Sequence, residues 1–178
     1  GRTAGIVGVG NIGSRVAAAL HRGFGMKVIG YDPLLTDARW AELSGVVGRR
    51  DDLLAMLGEA DLVALHCPLD AVTRNMIDRE ALAAMRPHAI LLGASRGGVI
   101  DEAALYDALV AGQIAGAGLD VFADEPTPQD HPLLSLDSVV AAPHLGGMSE
   151  QGMIAMGVTA VEEVLRVLRG EGPRHRVN

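Results

Sequence analysis

The chain has 178 residues, enough for one domain with a substantial core, and 49% apolar against 21% charged residues describe an ordinary globular protein. A net charge of −7 with aromatics at 3% argues against a nucleic-acid partner, which calls for a basic face and stacking rings. The single cysteine, Cys67, excludes an internal disulfide and fits a cytoplasmic setting, and no run approaches the ~18 apolar residues of a membrane span, so no membrane partner is expected.

In chain order, Ala4, Ile6, Val7 and Val9 form an apolar strand run, followed by a glycine turn and a helix-forming segment over 14–20. Residues 26–31 read as a second strand, ending on Asp32. Residues 36–43 predict a short helix capped by Thr36, 45–48 a brief strand and 51–57 a helix. The run 61–66 is bounded by Asp61 and by Cys67-Pro68 and suits a strand covered on both faces. Then come a helix over 78–85, a strand over 89–93, a helix over 101–110 stopped by Gly112, and strands over 115–122 and 139–142. A long helix over 149–168 starts at Ser149 and stops at Gly170. Residues 123–132, with Pro126, Pro128 and Pro132, are the loop-like stretch. Apolar strands alternating with helices predict an α/β fold, a doubly wound parallel sheet of the Rossmann type.

Gly8-Val9-Gly10-Asn11-Ile12-Gly13 supplies G-x-G-x-x-G between strand and helix. Gly8 permits the sharp turn, Gly10 lets a pyrophosphate approach the backbone, and Gly13 lets the helix pack on the strand. The helix N-terminus then faces the phosphates. Asp32, 19 residues past Gly13, can accept both ribose hydroxyls and would repel a 2′-phosphate. No arginine follows in Tyr31-Asp32-Pro33-Leu34-Leu35, so the cofactor expected is NAD, not NADP.

Ligands in such sheets sit beyond the carboxyl ends of the strands. Those positions hold Cys67-Pro68 with Thr73, then Ala94-Ser95-Arg96-Gly97-Gly98, Asp120 with Glu125-Pro126, and Pro143-His144-Leu145-Gly146-Gly147. Oxidation of a 2-hydroxy acid needs a cation for the carboxylate, and Arg96 has the planar fork. It needs a proton carrier that works near neutral pH, for which His144 is the candidate, and a carboxylate such as Glu125 to hold that imidazole protonated. Each has a structural reading beside the chemical one: Arg96 as a helix-end or phosphate ligand, Glu125 as a solvated loop acid, His144 as a turn residue, Asp120 as a strand cap. Cys67 is lining or core. His21, His66, His88, His131 and His175 show no partner pattern and read as incidental, and no metal-ligand spacing appears.

With these motifs in place, the chain closely resembles the D-isomer-specific 2-hydroxyacid dehydrogenases. The resemblance rests on the glycine turn with Asp32, on Ser95-Arg96-Gly97-Gly98-Val99-Ile100-Asp101-Glu102, on residues 118–126 (Gly118 to Pro126), and on Pro143 to Gly147. It implies Arg96, Glu125 and His144 as the catalytic trio. It also implies NAD contacts at Asn11, Ile12, Asp32, Cys67, Thr73, Ala94, Arg96, Asp120, His144 and Gly147, with Pro68 and Ser95 beside them. The substrate implied is a small 2-oxo or 2-hydroxy acid, and a homodimer is compatible. Family members carry a smaller substrate domain built from an N-terminal segment and the returning C-terminus. Against that pattern, residues 1–169 are expected to be the dinucleotide-binding domain and 170–178 the returning tail. Most of the substrate domain is then absent, so this chain alone is expected to bind NAD and turn over weakly. The alternatives are a non-catalytic NAD-responsive interaction module of the co-repressor kind, and a different Rossmann enzyme, such as an alanine dehydrogenase cofactor domain, which lacks the Arg, Glu-Pro and Pro-His pattern.

Overall fold

Side chains that alternate between two faces of a strand need two layers of cover, and β1 (Thr3–Val7) shows both. Ala4 and Ile6 pack into one cluster with Ala17 and Trp40, while Val7 joins another with Met56, Leu57 and Leu82. The computed structural model describes residues 1–176 and divides into two units, Gly1–Pro143 and His144–Asn178. Residues 177–178 of the expected tail lie outside the described residues.

In the first unit β1 is followed by α1 (Asn11–Phe24), β2 (Lys27–Tyr31), α2 (Asp37–Leu43), β3 (Gly48–Arg50) and α3 (Leu53–Glu59). Then come β4 (Leu62–Leu65), α4 (Arg79–Ala84), β5 (Ile90–Gly93), α5 (Glu102–Val110), β6 (Gly116–Leu119), a 3-10 turn (Pro132–Ser135) and β7 (Val139–Ala141). The seven strands form one parallel sheet in the order β3-β2-β1-β4-β5-β6-β7. Helices α1 and α2 cover one face and α3, α4 and α5 the other, so the doubly wound Rossmann arrangement expected from the sequence is the one found. Full burial of each large apolar side chain in these layers, such as Ile6 or Leu91, stabilises the fold by roughly 1.5–3 kcal/mol. The second unit carries α6 (Glu150–Leu168), capped by the Ser149 hydroxyl, which accepts from Gly152 N–H at 3.0 Å. Among the described residues no helix is long and apolar enough to cross a membrane.

Two expected strands are displaced. The brief strand runs over Gly48–Arg50 instead of 45–48, because the N–H groups of Val46 and Val47 are spent on the Leu43 carbonyl, closing α2. Its arginines make a charged sheet edge: Arg49 pairs with Asp37 and Asp51, and Arg50 with Glu59. The strand expected over 115–122 ends at Leu119, since the N–H groups of Phe122 and Ala123 turn to the carboxylates of Glu125 and Glu102. Asp52 and Asp101 act as N-caps of α3 and α5, accepting from Ala55 and Ala104 N–H.

Candidate active site

The strand numbering reverses between β1 and β4, and a crevice opens there at their carboxyl ends. Gly8 stands at φ 85°, and a Cβ on it would lie 2.7 Å from Cys67 N and 2.8 Å from the His66 carbonyl carbon. A Cβ on Gly13 would lie 2.0 Å from the Gly8 carbonyl oxygen, so α1 rests directly on the turn. Gly10 is the opposite case: its missing side chain faces open space, with no atom within 4 Å of a Cβ built there. Gly10 is the N-cap of α1 and makes no side-chain bond, and no acid occupies the first turn. Every other α-helix of the described residues has its N-terminus closed by Thr36, Asp52, Asp78, Asp101 or Ser149. The free amides at the start of α1 beside an open Gly10 fit a dinucleotide pyrophosphate.

Two clefts meet at this crevice. One, of ≈ 360 Å³, is lined by Gly8, Gly10, Asp32, Cys67, Pro68 and Thr73. The other, of ≈ 560 Å³, is lined by Ile12, Cys67, Pro68, Ala94, Ser95 and Arg96. Asp32 is held by two backbone bonds, its Oδ2 accepting from Val9 N–H at 2.9 Å and its Oδ1 from Leu34 N–H at 3.1 Å. The Thr73 hydroxyl donates to the Pro68 carbonyl at 2.7 Å and accepts from Asp70 N–H at 2.8 Å. Asp70 Oδ1 accepts from the N–H groups of Thr73 and Val72, bonds that hold its carboxyl below the usual range. The loop after β4 is thereby fixed before any ligand binds.

Burial pushes the Cys67 thiol up, so it lines both clefts as a neutral, small apolar group and not as a nucleophile. His66 lines both clefts as well, which sequence reasoning missed. Burial lowers its pKa, and its Nε2 is buried with no hydrogen-bond partner among the described residues. The available signal was its place immediately before Cys67-Pro68 at a strand end.

Arg96 is exposed at the mouth of the second cleft, its Nη1 donating to its neighbour's carbonyl, Ser95 O, at 2.7 Å. Behind it, a Cβ on Gly97 would lie 1.7 Å from the Phe122 carbonyl oxygen, so the arginine loop sits on the end of β6. Asp120 extends the ladder there, donating its N–H to Gly93 O at 2.8 Å. Glu125 bends back, its Oε1 accepting from Phe122 N–H at 3.2 Å, and the Glu125–Pro126 peptide is cis. Asn11, Gly13, Asp120 and Glu125 are not among the residues lining the two clefts. His144 and Gly147 belong to the second unit, where His144 stands at φ 56°.

Two of the histidines read as incidental face a carboxylate. His88 Nε2 lies 2.6 Å from Asp61 Oδ1, and His131 Nε2 lies 3.2 Å from Glu102 Oε2. These pairs span 27 and 29 residues, so no local sequence pattern announces them.

Residues 1–146 match the family model described as "D-isomer specific 2-hydroxyacid dehydrogenase, NAD binding domain". The chain belongs to that family. It is 44% identical over its whole length to a D-3-phosphoglycerate dehydrogenase of Methanocaldococcus jannaschii, covering 33% of that protein. It is 46% identical to a glyoxylate reductase of Korarchaeum cryptofilum, covering 52% of it. Among solved structures, 99% of the chain superposes on the NAD-complexed D-isomer specific 2-hydroxyacid dehydrogenase of Lactobacillus delbrueckii ssp. bulgaricus, with a TM-score of 0.87 and 35% identity. There it covers 56% of the other chain. The 178 residues thus span a third to about a half of the relatives they match, and residues 1–146 of them match the family's NAD-binding domain.

Proposed function

We propose that this domain serves a dehydrogenase interconverting a D-2-hydroxy acid and its 2-oxo acid with NAD(H). The observation carrying the proposal is that Arg96 shares a cleft wall with Cys67 and Pro68, which also line the cleft bearing Gly10 and Asp32. A carboxylate bound by the Arg96 fork would then lie next to the dinucleotide. A bound NADH would supply the hydride for C2 of the oxo acid. Arg96 binds the substrate carboxylate and polarises the carbonyl. His144 gives the proton to the nascent hydroxyl and takes it back in oxidation, and Glu125 holds the imidazole in its protonated form. Asn11, Ile12 and Gly13 N–H groups, with Gly8 and Gly10 giving room, hold the pyrophosphate, and Asp32 holds the ribose. Thr73, Ala94, Ser95, Asp120 and Gly147 complete the cofactor's surroundings. The Asp32 charge favours NAD over NADP.

Residues 1–169 form the cofactor domain in this reading, with 170–178 as the segment returning to a substrate domain. We assign the protein to the cytoplasm. A homodimer is proposed as well, for which exposed Ile154, Val161 and Leu165 of α6 offer apolar surface. The co-repressor-like reading has no observation in its favour.

The test is turnover of glyoxylate and hydroxypyruvate with NADH by the protein at its full natural length. His144→Ala should lower kcat on the order of 10²–10⁴-fold. Arg96→Gln should raise KM for the oxo acid and lower kcat, since it removes both the carboxylate fork and the polarising charge. Undiminished turnover in His144→Ala would reject the proton-carrier role.

A further inference from the structure

Glu102, the first residue of α5, is outside both clefts, yet it holds together the segment that carries Glu125. Its Oε1 accepts from Ala123 N–H at 2.7 Å and its Oε2 takes His131 Nε2 at 3.2 Å. One carboxylate therefore grips both ends of the stretch from 123 to 131, in whose interior Glu125 lies. The His131 ring also stands edge-on against Phe122, with centroids 5.3 Å apart and planes at 71°. Phe122 is the residue whose N–H bonds Glu125 and whose carbonyl abuts Gly97, next to Arg96. The Glu102 and His131 side chains are only 19% and 17% exposed, so water competes weakly for these bonds.

We propose that Glu102 and His131 are positioning residues that fix the Glu125 loop relative to the Arg96 loop. Glu102 ends the segment leading from Arg96 into α5, and His131 ends the segment leading from Glu125 into the 3-10 turn. Their bond ties the far ends of the two loops, and the Gly97–Phe122 contact ties the near ends. The bond requires the Nε2–H tautomer of His131 when the ring is neutral, and Glu102 selects it. A free loop of this length would otherwise sample many placements of the Glu125 carboxyl.

The proposal rests on the dehydrogenase reading, and the experiment keeps the two apart. Glu125→Gln, Glu102→Ala, His131→Phe and His131→Gln are made in the protein at its full natural length and assayed with NADH and glyoxylate across pH. Amide exchange at Phe122 and Ala123 is followed in parallel. His131→Phe keeps the ring on Phe122 and removes only the donor, while His131→Gln restores a donor. Glu102→Ala and His131→Phe should lower kcat on the order of ten- to a hundred-fold and distort the pH profile, with NADH affinity unchanged within about twofold. Both should speed exchange at Ala123, and His131→Gln should recover most of the loss. If Glu102→Ala and His131→Phe turn over normally while Glu125→Gln is crippled, the positioning role is overturned and the dehydrogenase reading stands. Unaffected turnover in Glu125→Gln overturns both the catalytic role of that carboxylate and any positioning of it. Loss of stability with normal kcat and a normal pH profile per folded molecule reduces Glu102 and His131 to a structural pair and also overturns the proposal.

Discussion

Asp32 Oδ2 accepts the Val9 backbone N–H at 2.9 Å, joining the acid that follows β2 to the turn that follows β1. The bond fixes the carboxylate in the cleft before a ribose arrives. Each oxygen accepts one backbone bond, leaving further lone pairs for two hydroxyls.

Asp32→Ala should therefore weaken NADH binding on the order of tenfold, the loss of a charge-assisted bond worth about 1.4 kcal/mol. NADPH, no longer repelled, should bind the variant nearly as well as NADH. Fluorescence titration of the 178-residue chain with both nucleotides decides this, and retained discrimination would place it elsewhere.

The glycines of the turn separate folding from binding. A methyl on Gly13 would meet the Gly8 carbonyl at 2.0 Å, a backbone obstacle that cannot swing aside. Gly13→Ala should cost on the order of 2–4 kcal/mol by urea unfolding, from overpacking at the helix–turn contact. Gly10 has φ −70° and nothing within 4 Å, so Gly10→Ala should unfold at the wild-type urea midpoint. It should nonetheless bind NADH at least about tenfold more weakly, because the methyl occupies the phosphate approach. Equal effects of the two changes on stability would contradict the separation.

The glycine turn, Asp32 and the strand ends were legible because each is a local arrangement: a residue type at a fixed distance from a strand end. The same holds for the caps at Thr36 and Ser149, whose acceptors serve N–H groups three residues on. Choices between competing hydrogen-bond partners left no such mark. Whether Phe122 N–H continues the ladder or turns to Glu125 depends on a loop carboxylate, so β6 read three residues too long. Whether Val46 and Val47 build a strand depends on the Leu43 carbonyl reaching them first. His131 and Glu102 are 29 residues apart, and only the folded chain shows that one carboxylate serves two ends of a loop.

At the amino ends of β1 and β4, away from the clefts, Asp61 accepts from Thr3 N–H at 2.7 Å, from His88 Nε2 at 2.6 Å and from Arg86 Nη1 at 3.1 Å. Its side chain is 10% exposed. The Thr3 bond first, then His88 and Arg86, hold its carboxyl far below the usual carboxylate range. A carboxyl with a folded pKa below its unfolded value of about 3.9 stabilises the fold above that pH, and the contribution fades as pH falls towards the folded pKa. Asp61→Asn should thus be less stable by about 1.5–3 kcal/mol at pH 7, the range for hydrogen bonds to a charged group. Measured by urea midpoints, the gap to wild type should narrow from about pH 5 to about pH 2 as the wild-type carboxylate gains its proton. A gap of constant size over that interval would show that the hydrogen-bond geometry, and not the charge, carries the Asp61 contribution.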